Sequence, residues 1–216
     1  MPTLTRSLIK KPAASPLNEF PRMKLWTLKE FDKLYDMQIL TERCELIEGV
    51  IVKKMGQHPP HRALLHAISR WLMGIFGTEY LMNQSPVDFP QDKKRVSRLE
   101  PDVILLKKPE TEFSERNPLP ADVRLLVEVA DSSLQDDLER KARIYGQSDV
   151  VEYWVADVKA RQIWVHRIPS AKGYEMIAIY SDTQEVSALA QPEAKIRVSE
   201  FFPVITVKDE QNENRP

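Results

Sequence analysis

The spacing of apolar positions divides the middle of the chain into helical and extended segments. Thr27-Leu28-Lys29-Glu30 is a capping-box pattern, and Leu28, Phe31, Leu34 and Tyr35 follow at helical spacing, which predicts a first helix from Thr27. Cys44 to Val52 holds strand-forming residues around a Glu48-Gly49 turn and predicts a hairpin. Gly56 to Pro60 reads as a loop. From His61 to about Phe76, the residues Leu64, Leu65, Ile68, Trp71, Leu72, Ile75 and Phe76 make a wide apolar stripe, and the two prolines just upstream suit a helix start. Strands are predicted near 79–89, 99–106 and 123–130, with the Pro- and charge-rich segment 107–121 as a surface loop.

Ser133-Leu134-Gln135-Asp136 is a second capping-box pattern, opening a helix that should run to about Gln147. Val150 to Asp157 predicts another strand. Gln162 to Ile168 and Tyr174 to Tyr180 predict an antiparallel pair turned at Lys172-Gly173. This order implies an α/β (α+β) fold: a mixed β-sheet flanked by helices, with an N-terminal helix-hairpin and a C-terminal antiparallel meander. A doubly wound sheet would alternate more regularly. Residues 1–22 carry four prolines among Ser, Thr and basic residues and predict a mobile tail; 208–216 predict a second, leaving one domain over 23–207.

Composition narrows the class. At 42% hydrophobic and 29% charged residues, a soluble globular protein is expected. No apolar run approaches the roughly 20 residues of a membrane helix, and no signal peptide is visible, so a cytoplasmic location and no membrane partner are expected. Cys44 is alone, which rules out an internal disulfide and a zinc site of several thiolates, and fits a reducing compartment. With a net charge of −1, any nucleic-acid contact must come from local patches. The candidates are Lys93-Lys94-Arg95 with Arg98, Lys107-Lys108, and Arg140-Lys141 with Arg143; each also reads as an ordinary solvated face.

Three ionisable residues stand in apolar surroundings. Asp102 opens the run Val103 to Leu106, Glu128 interrupts the run Leu125 to Val129, and Lys141 falls near the centre of the apolar stripe of its helix. Buried charge is costly unless paired or metal-bound. Singly, each has a plain reading: Asp102 as a turn residue after Pro101, Glu128 as a strand-end acid, Lys141 as a surface i,i+4 partner of Asp137. Together they suggest two carboxylates converging on one Mg²⁺ or Mn²⁺, with the carbonyl of Val129 as a further oxygen and the lysine beside them.

Pro101-Asp102, Glu128-Val129 and a lysine moved onto the next helix resemble the PD-(D/E)xK nuclease superfamily. The resemblance is to its branch of bacterial restriction-endonuclease-like proteins. That branch has a Glu-Leu-Ile-(Asp/Glu)-Gly hairpin, here Glu45 to Gly49, and a histidine opening the next helix, here His61. It also has a strand end like Glu128 to Ser133, then Lys-x-x-x-Tyr, here Lys141 and Tyr145, and Glu-Tyr-Trp-Val-x-Asp, here Glu152 to Asp157. The match covers about residues 25 to 203. It implies a restriction-endonuclease-like core with His61 in its first core helix, Asp102 and Glu128 on the metal, and Lys141 as the catalytic cation. Two departures stand out: Ala130 occupies the superfamily's usual lysine position, and Gly146 to Val151 lacks the Ala-Gly and Pro usual before Glu-Tyr-Trp, which predicts a changed turn.

Further candidates are secondary. His61 either orients a phosphate, binds metal, or packs at the helix start. Glu48 shares strand parity with Leu46 and Val50 and is expected to point inward, unless it is a turn acid beside Gly49. Arg140 and Tyr145 are candidate substrate-binding residues. The expected activity is hydrolysis of phosphodiester bonds in DNA with Mg²⁺ (or Mn²⁺), by a homodimer if both strands are cut. The alternatives are a catalytically silent nuclease-fold module binding nucleic acid or protein, and a phosphodiesterase acting on RNA or a small nucleotide.

Overall fold

The computed structural model describes residues 24–54, 56, 58–90 and 96–202. The tails expected at 1–22 and 208–216, and the basic run Lys93-Lys94-Arg95, lie outside the described residues.

Helix α1 (Leu28–Asp36) starts at the capping box read from the sequence. Thr27 Oγ1 accepts the Glu30 N–H at 3.2 Å, and the Glu30 carboxylate accepts the Thr27 N–H at 2.9 Å. It lays Phe31 over Cys44 and Leu46 of the following hairpin. That hairpin, β1 (Cys44–Ile47) and β2 (Val50–Lys53), turns through Glu48 and Gly49 with φ of 49° and 81°. Positive φ at both central residues is the turn whose twist matches a two-residue hairpin. A side chain at Gly49 would also strike Leu25, whose Cβ lies 2.8 Å from the position of an added Cβ.

Helix α2 (Pro59–Phe76) carries both prolines in its first turn, where no N–H is needed, and buries Leu64, Leu65, Ile68 and Leu72. Four short strands follow: β3 (Leu81–Asn83), β4 (Val87–Pro90), β5 (Val96–Leu99) and β6 (Val103–Leu106). The sequence pattern predicted two, near 79–89 and 99–106, and missed β5 save for Leu99. The chain breaks the first at Gln84, whose φ is 50°, and the second at Pro101, which has no N–H to continue a ladder. Each break moves the chain from one sheet to another. The loop expected at 107–121 contains 3₁₀ turns at Glu110–Phe113 and Pro120–Asp122, and Phe113 is buried in the core.

Strand β7 (Val123–Ala130) leads into α3 (Leu134–Asp136), a π-helical turn at Asp137–Lys141, and α4 (Ala142–Gln147). Then come β8 (Glu152–Asp157), β9 (Gln162–Ser170), β10 (Gly173–Ser181), and the short β11 (Glu185–Val186) and β12 (Ile196–Arg197). The second capping box does not form. Ser133 has φ −99° and ψ 4°, outside the extended region an N-cap residue takes, and its hydroxyl donates to Asp137 Oδ2 at 2.5 Å and caps no backbone N–H.

The six-stranded sheet runs β10-β9-β8-β7-β6-β3, antiparallel except for the parallel β7–β8 pair, and a four-stranded antiparallel sheet runs β2-β1-β5-β4. Alternation along β6 and β7 divides the core. Val103, Leu105, Leu125, Val127 and Val129 meet α2 on one face. Ile104, Leu106, Leu126 and Ala130 meet Val87, Phe89 and Leu99 of the four-stranded sheet, and Ala142, Ile144 and Tyr145 of α4, on the other. Among the described residues, no helix is long and apolar enough to cross a membrane.

Candidate active site

Strands β6 and β7 pair with Val103 opposite Val127 and Ile104 opposite Leu126. Continued one residue outward, that register sets Asp102 across from Glu128. Both have the parity of Ile104 and Leu126, so both carboxylates leave the sheet on the face that meets the four-stranded sheet. There they border a cavity of about 250 Å³. Its floor is Asp102, Glu128 and Val129. One wall is the first hairpin with Glu45, Ile47, Val52 and Lys54; the other is the segment Ser132 to Lys141, with Arg140.

Asp102 is held on several sides. Oδ2 accepts the Val129 N–H at 2.9 Å and faces His61 Nε2 at 3.1 Å, while Oδ1 accepts from Gln84 Nε2 at 3.0 Å. Burial works against its charge, yet His61, Lys54 and the Val129 N–H outweigh it and hold the carboxyl below the usual carboxylate range. In a strand, a residue's N–H and C=O point to the same neighbour, so the Val129 carbonyl faces the edge where Asp102 sits.

Glu128 is equally buried. Its Oε1 accepts from the Tyr145 hydroxyl at 2.8 Å and from Lys141 Nζ at 2.9 Å. Burial nevertheless pushes its carboxyl up to about 8, against the pull of the Lys141 charge. Lys141 Nζ lies 3.2 Å from Asp137 Oδ1 as well. Burial opposes its ammonium, but Glu128, Glu45 and Asp137 reverse that and raise it well above an ordinary lysine.

Asp137 and Lys141 are both buried, at 1% and 7% exposure, which fits the place of Lys141 in the apolar stripe and not the alternative of a surface pair. Lys141 keeps this buried phase although Asp137–Lys141 is wound as a π turn.

Other expected residues sit elsewhere. Glu48 belongs to the turn rather than to a strand, so strand parity does not govern it. Its carboxylate pairs with Arg143 at 2.7 and 3.0 Å and is not among the groups lining the cavity. The inward acid of the hairpin is Glu45, on a strand with all four residues buried; its Oε1 accepts the Glu100 N–H at 2.8 Å. Tyr145 is fully buried between Phe89 and Tyr153 and touches Glu128 rather than the cavity. Arg140 does line the cavity, ion-paired to Asp136 at 2.7 Å. His61 lines it beside Asp102. Sequence reasoning missed Gln84 and Lys54, which carry no local signal, and passed over Glu45 and Asp137, whose burial depends on tertiary packing.

Among the described residues, no three His, Cys, Asp or Glu side chains are grouped to hold a metal ion. The donors that fit one are fewer and all oxygen: the Asp102 and Glu128 carboxylates with the Val129 carbonyl. A hard cation such as Mg²⁺ typically takes one or two carboxylates and completes its shell with water and substrate oxygens. A divalent charge would also offset the burial that disfavours ionised Glu128. The residues present fit such an ion.

A mixed sheet with this pair of acids at adjacent strand positions, and a lysine over them, defines a restriction-endonuclease-like nuclease fold. The chain belongs to the family described as "Uma2: Putative restriction endonuclease", which it matches over residues 28–199, within the PD-(D/E)xK group that its motif order resembled. A solved structure from Anabaena variabilis, described as a putative nuclease belonging to DUF820, is similar with a TM-score of 0.63. The two share 16% sequence identity, over 82% of this chain and 97% of that one, a likeness of fold. None of the curated proteins matches this chain.

Proposed function

We propose that this chain is an endonuclease that hydrolyses phosphodiester bonds in DNA, with Mg²⁺ or Mn²⁺ held by Asp102, Glu128 and the Val129 carbonyl. The observation that carries the reading is the pair of buried carboxylates on adjacent strands facing one cavity, with the Lys141 amine 2.9 Å from one of them. The metal, when bound, polarises the scissile phosphate and lowers the pKa of its bound water.

The side chains divide the remaining work. Gln84, His61 and the Val129 N–H fix the orientation of Asp102. Tyr145 and Lys141 fix Glu128. Lys141 is held as an ammonium, so it does not take a proton from water; it donates a hydrogen bond and offsets charge building on the phosphate. Cutting both strands takes two such sites, so a homodimer forms part of this reading. The lone thiol Cys44, buried and unpaired, fits a reducing cytoplasm.

Nicking of supercoiled plasmid tests the proposal. Wild type should nick only with Mg²⁺ or Mn²⁺, and Asp102→Ala, Glu128→Ala and Lys141→Ala should each lose about a hundredfold or more. Mn²⁺ titration followed by tryptophan fluorescence gives an independent measure and should show binding lost in Asp102→Ala. DNA binding without cleavage, unchanged by these substitutions, would support the silent module instead. Nicking that survives all three would place the chemistry at another site.

A further inference from the structure

Lys54 follows β2 on the wall of the cavity opposite Lys141. Its side chain is only 14% exposed. Among the described residues its one hydrogen bond runs to the main-chain carbonyl of Glu100, the residue two before Asp102. The nearby carboxylates are close enough to attract it and too far to take its hydrogens: Glu45 Oε1 lies 3.8 Å away and Glu100 Oε2 3.9 Å. An ammonium has three donors, so two remain for a further acceptor.

The position of this charge is as informative as its spare donors. Lys141 already contacts two carboxylates, Glu128 and Asp137, which leaves it one donor. Lys54 instead acts on both metal-site acids through space, favouring the ionised forms of Asp102 and Glu128. It is also tethered to the β5–β6 corner, so it is fixed relative to Asp102. A lysine placed only to stabilise the fold would have its hydrogens aimed at Glu45 or Glu100. This one spends one hydrogen on the Glu100 carbonyl and, among the described residues, leaves two without an acceptor at the cavity wall.

We infer that Lys54 binds a phosphate oxygen of the DNA backbone at the cavity wall facing Lys141, and so sets where the strand lies relative to Asp102 and Glu128. This rests on the nuclease reading. It assigns Lys54 to positioning substrate, with no role in bond breaking. A point charge on a phosphate carries no base information, so its contribution is independent of sequence and sensitive to salt.

The test is the salt dependence of binding. A short fluorescein-labelled duplex is titrated with protein in Ca²⁺, followed by anisotropy, between about 50 and 200 mM salt. Loss of one phosphate contact should reduce the slope of log K against log salt by about 0.9 and weaken binding about tenfold near 0.1 M. Lys54→Gln, which can still donate to the Glu100 carbonyl, should show both effects, and Lys54→Arg should restore them. A structural role would instead lower the melting temperature and leave the slope alone. Should Lys54→Gln not fold, acetylation of wild-type lysines with and without the duplex reads the same contact, and Lys54 should be protected. An unchanged slope, or equal acetylation, with a wild type that nicks plasmid overturns the Lys54 assignment alone. A wild type that neither binds nor nicks DNA overturns the nuclease reading and this one with it.

Discussion

Gly146 of α4 meets Gly173 at the start of β10 so closely that an added Cβ on Gly146 would lie 2.1 Å from the Gly173 carbonyl oxygen. The approach needs a bare Cα at Gly146, while at Gly173 it is the φ of 119° that favours glycine. This closeness seats the helix that follows Lys141 against the β9–β10 hairpin.

Gly146→Ala should therefore force the helix away from the hairpin. The expected loss is at least about 1–3 kcal/mol, the usual scale of overpacking, read as a lower urea midpoint. Nicking should fall more than stability alone accounts for, because displacement of α4 disturbs the Lys141–Glu128 contact. Gly74→Ala, where an added Cβ meets nothing within 4 Å, is the matched control: it should raise the urea midpoint slightly through the helix propensity of alanine and leave nicking unchanged.

Metal affinity should depend on pH in a defined direction. Glu128 is pushed up to about 8, so below that pH the cation must displace a proton. Mn²⁺ binding should strengthen by about tenfold per pH unit up to about 8 and then level off. Without metal the sign reverses for stability. The folded carboxyl holds its proton more tightly than the unfolded one, so this group's contribution declines as pH rises from the ordinary Glu range through about 8. Glu128→Gln should remove that decline in urea unfolding, and an unchanged profile would count against it.

Glu152 is fully buried and takes hydrogen bonds from Arg167 at 2.6 Å, from Trp154 Nε1 at 3.0 Å and from the Leu189 N–H at 2.7 Å. Arg167→Leu leaves this acid without its cation and should cost about 3–5 kcal/mol. Glu152→Gln with Arg167→Leu should recover part of that loss, which a double-mutant cycle measures.

His166 is buried beside the rings of Tyr153 and Tyr174, and burial pushes its pKa below the ordinary histidine value. The unfolded chain then binds the proton more readily. Stability from this group is present above the ordinary value near 6.5 and falls as pH drops through that value toward the folded one. Urea midpoints should decline on acidification, and His166→Phe should flatten the decline.

Much of this was legible in the sequence because it rests on local chemistry. The Thr27–Glu30 box, the Glu48-Gly49 turn and the α2 stripe form as their residue types dictate. Asp102 and Glu128 were visible as charges set in strand-forming runs, and strand alternation puts them on one face. The misreadings have a common origin in context. The parity that pointed to Glu48 assumed an unbroken strand, whereas a two-residue turn releases its residues from alternation. The wheel that put Lys141 near the centre of an apolar stripe held, and the plain alternative of a surface pair with Asp137 did not, since both side chains are buried. Glu45 and Lys54 became notable only once β1 paired with β5, a contact between distant parts of the chain that no short window contains.

The backing of α4 by Gly173 has a consequence during synthesis. All the acids and the amine of the centre precede Gly173, yet the helix that sets the amine gains its backing from the β9–β10 hairpin only once that glycine has left the ribosome. The cavity therefore takes its final geometry only after every residue that lines it has been made.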